Sequence, residues 1–246
     1  MSSTVRRLQP SVVFQPTDVP QTEFYDLAWA ERSRQRGSTF RTWFEQLPFP
    51  QERIRQVLHD YYLGATTDDV RIHGLNYGPA AVFWQIDERG RVHDAKMIAY
   101  TSDGHRVEGW GNSLRALCEK RHQGPQLQQT EKVLYGLHLL TLHPDATVAL
   151  VESEKTALVC ACCYPHYLWL ATGGCGNLQV SKLRPLMQRS LLVFPDSGEY
   201  QRWQRRMEES GHRDYHVSDA LEAYPPNTDL ADLILDSLTP KPPSDL

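Results

Sequence analysis

Thr147-Val148-Ala149-Leu150-Val151 is an almost continuous apolar run, and Glu152-Ser153-Glu154-Lys155 follows it directly. A run without polar alternation is typical of a strand that is buried on both faces of a parallel sheet. Three similar runs follow it in the chain, at residues 167–171, 190–194 and 215–217. The intervening segments carry helical patterns, at residues 153–163, 179–188 and 199–210. Strands that alternate with helices at this spacing predict an α/β fold, with a parallel sheet flanked by helices.

The chain before this α/β region has a different pattern. Two β-rich runs, residues 81–86 and 91–100, flank a Gly-ended turn and predict a β-hairpin. Helices are expected at residues 40–47, 51–63, 112–122 and 126–142, and a last helix at 228–238. We therefore expect four parts in chain order: a weakly structured arm over 1–37, a small α+β domain over 38–140, the α/β domain over 141–239 and a tail over 240–246.

The composition sets limits on the class of protein. The chain has 246 residues, of which 40% are hydrophobic and 23% charged, as in globular proteins. Lys and Arg number 26 against 30 Asp and Glu, so a strongly basic nucleic-acid coat is excluded, although a local basic patch is not. We expect no membrane span, because no apolar run approaches the required length of about 18 residues. Five cysteines without paired spacing argue against a zinc finger or a disulfide scaffold, and favour a reducing, cytoplasmic setting.

Acidic residues and glycines follow the predicted strands of the α/β region. Glu152 follows the first strand, Gly173 and Gly174 follow the second, and Asp196 and Glu199 follow the third. Further acids lie around and beyond the fourth strand: Asp214 immediately before it, and Asp219, Asp229 and Asp232 after it. Ligands of open parallel sheets bind outside the carboxyl ends of the strands, and carboxylate oxygens suit Mg²⁺ or Mn²⁺ in phosphoryl transfer. For one carboxylate taken alone, a helix-capping role remains an equal alternative.

These strand ends resemble a known domain. Residues 148–158, with Val151-Glu152-Ser153, resemble the first motif of the Toprim domain, which bacterial primases, topoisomerases and several nucleases share. Residues 171–174 resemble the small-residue turn after the second Toprim strand, and residues 191–199 resemble the strand that carries the Asp-x-Asp motif. Residues 229–235 are similar to the Asp-x-x-Asp-x-Leu segment found beyond this domain in many primases. The resemblance covers about residues 145–238.

The resemblance implies a nucleic-acid phosphoryl-transfer protein that depends on Mg²⁺ or Mn²⁺. The stretch before residue 100 is also similar to primase-like proteins of Bacteroides-type mobile elements, which implies DNA replication, with single-stranded DNA, nucleotides and a replication protein as partners. Glu152 would then act as general acid/base or metal ligand, and Asp196 as the main metal ligand. Glu199 would be a substitute ligand if its loop re-aims it. Lys155 would contact a phosphate, which the backbone of Gly173 and Gly174 would approach closely.

Two positions depart from the Toprim pattern. Gly198 stands where the second acid of the Asp-x-Asp motif is a metal ligand, and Thr156 stands where primases often carry an Asp. The cysteine zinc-binding module with which the primase-like proteins often begin is also not expected here. Two alternatives to a primase-like enzyme therefore stay open: a non-catalytic module that binds single-stranded nucleic acid or a replication partner, and a Toprim nuclease.

Basic and aromatic residues are interleaved in the hairpin region. Arg91 and Lys96 lie among Trp84, Tyr100 and Trp110 in the sequence. Such a mixture can stack bases and track the phosphates of a single strand, so we expect DNA contacts at Arg91 and Lys96. An ordinary solvated sheet face is the alternative.

Three cysteines lie close together in the helix predicted at residues 153–163. They are expected to be buried and inert: Cys160, Cys162 and Cys163.

Overall fold

The computed structural model describes residues 24–121 and 131–238. The chain divides into two compact units, of which the first comprises Met1–Leu47 and Ile54–Glu131. The second comprises Pro48–Arg53 and Lys132–Leu246, so the division falls at 131/132 where the sequence suggested 140/141. The tail and residues 1–23 of the expected arm lie outside the described residues.

The first unit is built on a four-stranded antiparallel sheet. Its strands follow chain order: β1 (Leu63–Ile72), β2 (Leu75–Ile86), β3 (Val92–Tyr100) and β4 (Arg106–Ser113). The helices of this part of the chain are α1 (Leu27–Arg34), α2 (Thr39–Phe44), α3 (Gln51–Asp60) and α4 (Leu114–Arg121). Helix α1 packs on β1, α2 on β2 and β3, and α4 on β3 and β4. The sheet is therefore covered by helices that come from both ends of its sequence.

Side chains of alternate direction give the first sheet two apolar faces. On one face, Trp84 and Met97 pack in a buried cluster with Trp29 of α1. On the other, the Phe40 ring lies 5.6 Å from the Phe83 ring and holds α2 against the sheet. The predicted hairpin is confirmed, since β2 and β3 pair antiparallel around the turn that begins at Asp87.

Two expectations for this unit differ from the structure. Residues 27–34 were expected in a weakly structured arm but form α1, because the Asp26 carboxylate accepts from Ala28 N at 2.8 Å and Trp29 is buried. The helix expected at residues 51–63 ends earlier, at Asp60. Strand β1 begins at Leu63, and the sequence did not predict this strand. Gly64, which directly follows the helix expected at residues 51–63 and would suit a helix end, lies inside β1, where a Cβ atom would fall 2.1 Å from Ser33 Oγ.

The second unit contains the predicted parallel sheet. Its strands are β5 (Val148–Val151), β6 (Leu168–Ala171), β7 (Leu191–Val193) and β8 (Tyr215–Val217), in the order β6-β5-β7-β8. All three pairings are parallel. The helices are α5 (Glu154–Cys163), α6 (Val180–Leu183), α7 (Tyr200–Ser210) and α8 (Leu230–Leu238). The predicted α/β fold with a helix-flanked parallel sheet is thus confirmed.

The helices of this unit agree with the sequence in part. In α5, Cys160 and Cys162 are buried as expected, and burial raises the pKa of Cys162 to about 12, so this thiol is unreactive. The helix predicted at residues 126–142 is wrong where it can be seen. Tyr135 forms a β-bridge with Ala171, Gly136 has φ 84°, and only Leu137–Thr141 forms a short 3₁₀ helix. Residues 122–130 lie outside the described part.

The strand order reverses at β5, and this places the site. From β5 the chain passes to β6 on one side, and then returns to β7 on the other side. In open parallel sheets, ligands bind at the carboxyl ends of the two strands that flank such a reversal. The residues after β5 and β7 therefore lie at the expected binding edge of the sheet. No helix in residues 24–121 or 131–238 is long and apolar enough to cross a membrane.

Candidate active site

Glu152 and Asp196 leave the sheet at the same edge, beside the reversal point. Glu152 directly follows β5, and Asp196 comes three residues after the end of β7. The two strands pair Leu150 with Val193, and Phe194 N then donates to Leu150 O at 2.8 Å, so the chains run together to this edge. The two carboxyl groups that the sequence singled out are thus on neighbouring strands.

Burial and negative charge together change the acidity of Asp196. Burial raises the pKa of Asp196 to about 8, and the charge of Glu152 adds to the effect. Three further carboxylates contribute in decreasing order: Asp229, Asp232 and Glu199. Near neutral pH, this cluster of five carboxyl groups therefore holds a proton on Asp196. A divalent cation would relieve the repulsion between these carboxylates in the same way as that proton.

Asp229 and Asp232 reach this cluster from the start of α8. Asp229 N donates to Asp232 Oδ2 at 3.1 Å, and Asp232 N donates to Asp229 Oδ1 at 2.9 Å. This reciprocal capping fixes both carboxylates at the helix N-terminus. Sequence reasoning placed both acids on the rim but gave them no role. The signal that could have found them is the three-residue acidic spacing before the apolar α8.

The loop after β7 is tied to the segment before α8. Ser197 N donates to Thr228 O at 2.9 Å, and Ser197 Oγ donates to Tyr224 O at 2.8 Å. Gly198 follows with φ 91°, and its N–H donates to Glu222 at 2.9 Å. Residue 198 therefore brings a backbone turn, and no carboxylate, to the place of the second Toprim acid. The same hydrogen bonds hold Asp196 near Asp229.

The other predicted acidic and basic residues of this edge have defined neighbours. Glu199 precedes α7, and its carboxylate forms an ion pair with Arg202 at 3.3 Å. It nevertheless lies close enough to Asp196 to raise the pKa of that group. Lys155 lies near Asp232, where burial and Asp229 raise the pKa of the Asp232 carboxyl and the lysine charge opposes them. Lys155 thus lies beside the cluster, and its contact with a phosphate stays a prediction.

The double glycine also lies at this edge, but its N–H groups are engaged. Gly173 N and Gly174 N both donate to the carbonyl oxygen of Glu152, at 2.9 and 3.2 Å. Their φ angles, 85° and 141°, are ones that L side chains rarely adopt. In this conformation the two amides are directed at Glu152 and are not available to a phosphate.

Arg91 and Lys96 belong to the first unit, whereas the carboxylate cluster belongs to the second. The Arg91 guanidinium forms an ion pair with Asp87 at 2.7 Å and lies 4.4 Å from the centre of the Phe24 ring. Its side chain keeps 40% of its surface exposed. Lys96 is partly exposed on β3. Both remain predictions as DNA contacts.

The donor set fits a hydrated divalent ion better than a metal cage. Nowhere in the described ranges do three His, Cys, Asp or Glu side chains stand ready to hold a metal ion. Mg²⁺ usually takes one or two carboxylates and keeps several waters. Asp196 and Glu152, on neighbouring strand ends, meet that smaller requirement, and their hard oxygen atoms suit Mg²⁺ and Mn²⁺.

Residues 38–197 match a protein family described as a domain of unknown function, DUF6371. The chain belongs to this family. The DUF6371 match begins at the N-cap of α2 and includes Glu152 and Asp196, whereas Asp229 and Asp232 lie beyond its end. No curated protein matches the chain.

Solved structures with a similar fold are primase catalytic cores. The DnaG primase catalytic domain bound to single-stranded DNA has a TM-score of 0.52 and 13% identity, over 85% of this chain and 72% of that one. A DnaG catalytic core has a TM-score of 0.51 and 13% identity, over 85% of this chain and 73% of that one. The E. coli primase catalytic core has a TM-score of 0.50 and 14% identity, over 84% of this chain and 73% of that one. At this identity the similarity shows that the DUF6371 chain shares the fold of primase cores.

Proposed function

We propose that this DUF6371 protein is a Toprim-type phosphoryl-transfer protein of the primase class, dependent on Mg²⁺ or Mn²⁺. The observation that carries the proposal is the position of Glu152 and Asp196. They follow the two strands that flank the reversal of a parallel sheet, in a fold similar to primase cores. Parallel sheets bind their ligands at this place, and phosphoryl transfer needs carboxylates there to hold a cation.

Each residue of the edge has a role in this proposal. Asp196 is the main metal ligand, and Glu152 acts as general acid/base or holds the ion through water. Asp229 and Asp232 add negative charge that attracts the cation, and Lys155 contacts a phosphate. A bound Mg²⁺ or Mn²⁺ supplies charge neutralisation for the phosphate oxygens of a nucleotide. Glu199 is the less suitable ligand, because it already pairs with Arg202.

Single-stranded DNA and nucleotides are the proposed substrates. Support comes from the similar DnaG domain that was solved with single-stranded DNA. Arg91 and Lys96 of the first unit are proposed contacts to the DNA backbone. A role in replication of a mobile element, beside a replication partner, rests on the sequence resemblance alone, and a cytoplasmic setting rests on the cysteine pattern.

The proposal is tested by template-dependent oligonucleotide synthesis. Purified chain is given single-stranded DNA, labelled nucleotides and Mg²⁺ or Mn²⁺, and is compared with Glu152→Gln and Asp196→Asn. We expect both variants to lose at least about 100-fold in rate, since each removes a carboxylate at the reacting phosphate. Exposed acids of the same unit give matched controls, Glu209→Gln and Asp145→Asn, which should keep the wild-type rate.

Unchanged synthesis in Glu152→Gln would refute the assignment. A parallel incubation with end-labelled DNA distinguishes the nuclease alternative, because cleavage that requires Asp196 and occurs without synthesis would identify a Toprim nuclease.

One observation favours a non-catalytic second candidate. Gly198 is exposed, has φ 91° and offers no carboxylate where the Toprim pattern has a metal ligand. A protein with this change could keep the fold as a module that binds single-stranded nucleic acid or a replication protein. This candidate expects DNA binding in a filter or anisotropy assay and no nucleotide turnover at any metal concentration. Asp196-dependent turnover would exclude it.

A further inference from the structure

The double-glycine turn after β6 is fastened to the backbone of Glu152. Thr172 N donates to Val151 O at 3.0 Å, and the next two amides, of Gly173 and Gly174, both donate to Glu152 O. Thr172 Oγ1 donates to Gly174 O at 3.2 Å inside the turn. Because one carbonyl accepts two amides, the peptide plane that follows the Glu152 Cα is fixed. The direction in which the Glu152 side chain leaves the backbone is fixed with it.

A buried lysine braces this turn from α6. Lys182 is only 5% exposed, and its Nζ donates to Thr172 O at 3.2 Å. Asn177 Nδ2 donates to Gly173 O at 3.0 Å on the next peptide. The carbonyl oxygens of two successive residues of the turn are therefore held from the side opposite to Glu152.

A buried carboxylate from α5 lies beside the turn. Glu154 is 2% exposed, and its Oε1 lies 3.1 Å from where a Cβ atom of Gly173 would be. A side chain at residue 173 would therefore meet the carboxylate, which is a second reason for glycine there besides φ 85°. Burying an ammonium and a carboxylate is costly, and replacing buried ionic groups by apolar ones often stabilises a fold. Two such groups around one short turn call for a role other than stability.

We infer that Lys182 and Glu154 are positioning residues for Glu152 and act through the Gly173-Gly174 turn. The turn is then a clamp on the proposed acid/base residue, which differs from the phosphate-binding role expected from its glycines. The consequence for activity rests on the proposed function, whereas the clamp itself rests on the hydrogen bonds above. Outer groups that orient a metal-binding residue typically affect metal affinity or activity by about 10–100-fold.

The test compares Lys182→Met with Lys182→Arg, which keeps a donor, and with Arg184→Met, an exposed control next to α6. Glu154→Gln is the second variant, in case Lys182→Met does not fold. Amide hydrogen exchange of Gly173 and Gly174 is measured by NMR without metal, relative to the β5 amide of Leu150. The carboxyl ¹³C shift of Glu152 is recorded on the same samples, and the Kd for Mn²⁺ is measured separately.

We expect the exchange of both glycine amides to rise at least about tenfold in Lys182→Met while Leu150 stays unchanged, and the Glu152 shift to move. The Mn²⁺ Kd should rise by about tenfold or more, with recovery in Lys182→Arg and no change in Arg184→Met. Wild-type exchange rates in both Lys182→Met and Glu154→Gln would overturn the clamp. Faster exchange with an unmoved Glu152 shift would overturn the positioning role. If wild-type protein binds no Mn²⁺, the proposed function fails, and the two metal-free readouts still decide this inference.

Discussion

The hydroxyl of Thr156 donates a 2.7 Å hydrogen bond to Oδ2 of Asp229, which joins the first turn of α5 to the start of α8. Thr156 is 1% exposed, and its hydroxyl also lies 2.7 Å from Ser153 Oγ, the N-cap of α5. The Toprim motif that residues 148–158 resemble often has an Asp at this position, and the chain has Thr156 instead. In this chain the residue there orients a carboxylate from another helix.

Replacing Thr156 by valine should loosen Asp229. The change keeps the side-chain shape but removes the donor to the Asp229 carboxylate. We expect the unfolding free energy, measured by urea titration, to fall by about 1–3 kcal/mol. The affinity for Mn²⁺ should fall several-fold as well. Thr156→Ser keeps the hydroxyl and should stay close to the wild type in Mn²⁺ affinity, so equal losses in both variants would refute the role of the hydrogen bond.

Stability should fall with rising pH because of Asp196. Its pKa in the folded chain, about 8, is above the ordinary 3.8, so between these values the folded state holds a proton that the unfolded state has released. The stabilisation is complete below pH 3.8 and is lost as the pH rises through 8. One pKa unit corresponds to about 1.4 kcal/mol, and after allowance for partial exposure we expect a loss of about 2–4 kcal/mol.

Urea unfolding in EDTA at several pH values checks this loss. Asp196→Asn cannot ionise and should flatten the dependence between pH 5 and pH 8.5. The variant should also be more stable than the wild type at the upper end. A wild-type curve that stays flat over this range would show that Asp196 ionises normally.

Metal binding should release a proton near neutral pH. Below pH 8 the Asp196 carboxyl is largely protonated, and a metal ligand must be deprotonated. Calorimetric titration with Mn²⁺ at pH 7, in two buffers of different ionisation enthalpy, should report release of somewhat less than about one proton. Above pH 9 the release should vanish. Binding at pH 7 without proton release would place the ion away from Asp196.

Removing the Asp87 carboxylate should destabilise the first unit. Burial alone would raise the pKa of Asp87, but hydrogen bonds from His93, Arg91 and Arg89 outweigh it and lower the pKa below 3.8. Asp87 is 2% exposed and accepts from Arg91 N at 2.8 Å and His93 Nε2 at 3.0 Å. We expect Asp87→Asn to lose about 2–4 kcal/mol at pH 7.

The effect should depend on pH in the opposite sense to that of Asp196. The contribution of Asp87 is present above pH 3.8 and disappears as the pH falls through its lowered pKa, so wild type and variant should converge in acid. Glu88→Gln, one residue away in the same turn, is the matched control for urea unfolding. A gap that persists to the lowest pH at which both proteins stay folded would point to packing as the cause.

The α/β part of the fold was accessible from sequence because its signals are local. Continuous apolar runs marked β5 to β8, and the helices predicted at residues 153–163 and 199–210 agree with α5 and α7 to within one residue. Strand β1 was missed because its polar outer half resembles a loop and its glycine resembles a helix stop. That glycine serves the close approach of Ser33, a contact between distant residues that no local pattern reports.

The site was predictable only to the level of strand ends. Glu152 directly follows β5 and Asp196 comes three residues after β7, so topology alone brings them to one edge. Asp229 and Asp232 come from a helix after the last strand, and their approach depends on the bonds of Ser197 to the segment before α8. The role of Lys182 was hidden because a lysine in a helical segment is usually solvated, and only its burial reveals the hydrogen bond to Thr172.

The backbone of Gly198 also limits which side chains this turn can carry. With φ 91°, the residue has a conformation that a side chain with a Cβ atom would occupy only under strain. Among the described residues, no atom beyond the chain neighbours lies within 4 Å of where that Cβ would be, so backbone strain and not a clash opposes an aspartate there. The hydrogen bond to Glu222 comes from the backbone N–H of residue 198, which an aspartate would keep. A designed Gly198→Asp change would therefore cost about 1–3 kcal/mol of backbone strain and leave that anchor of the turn in place.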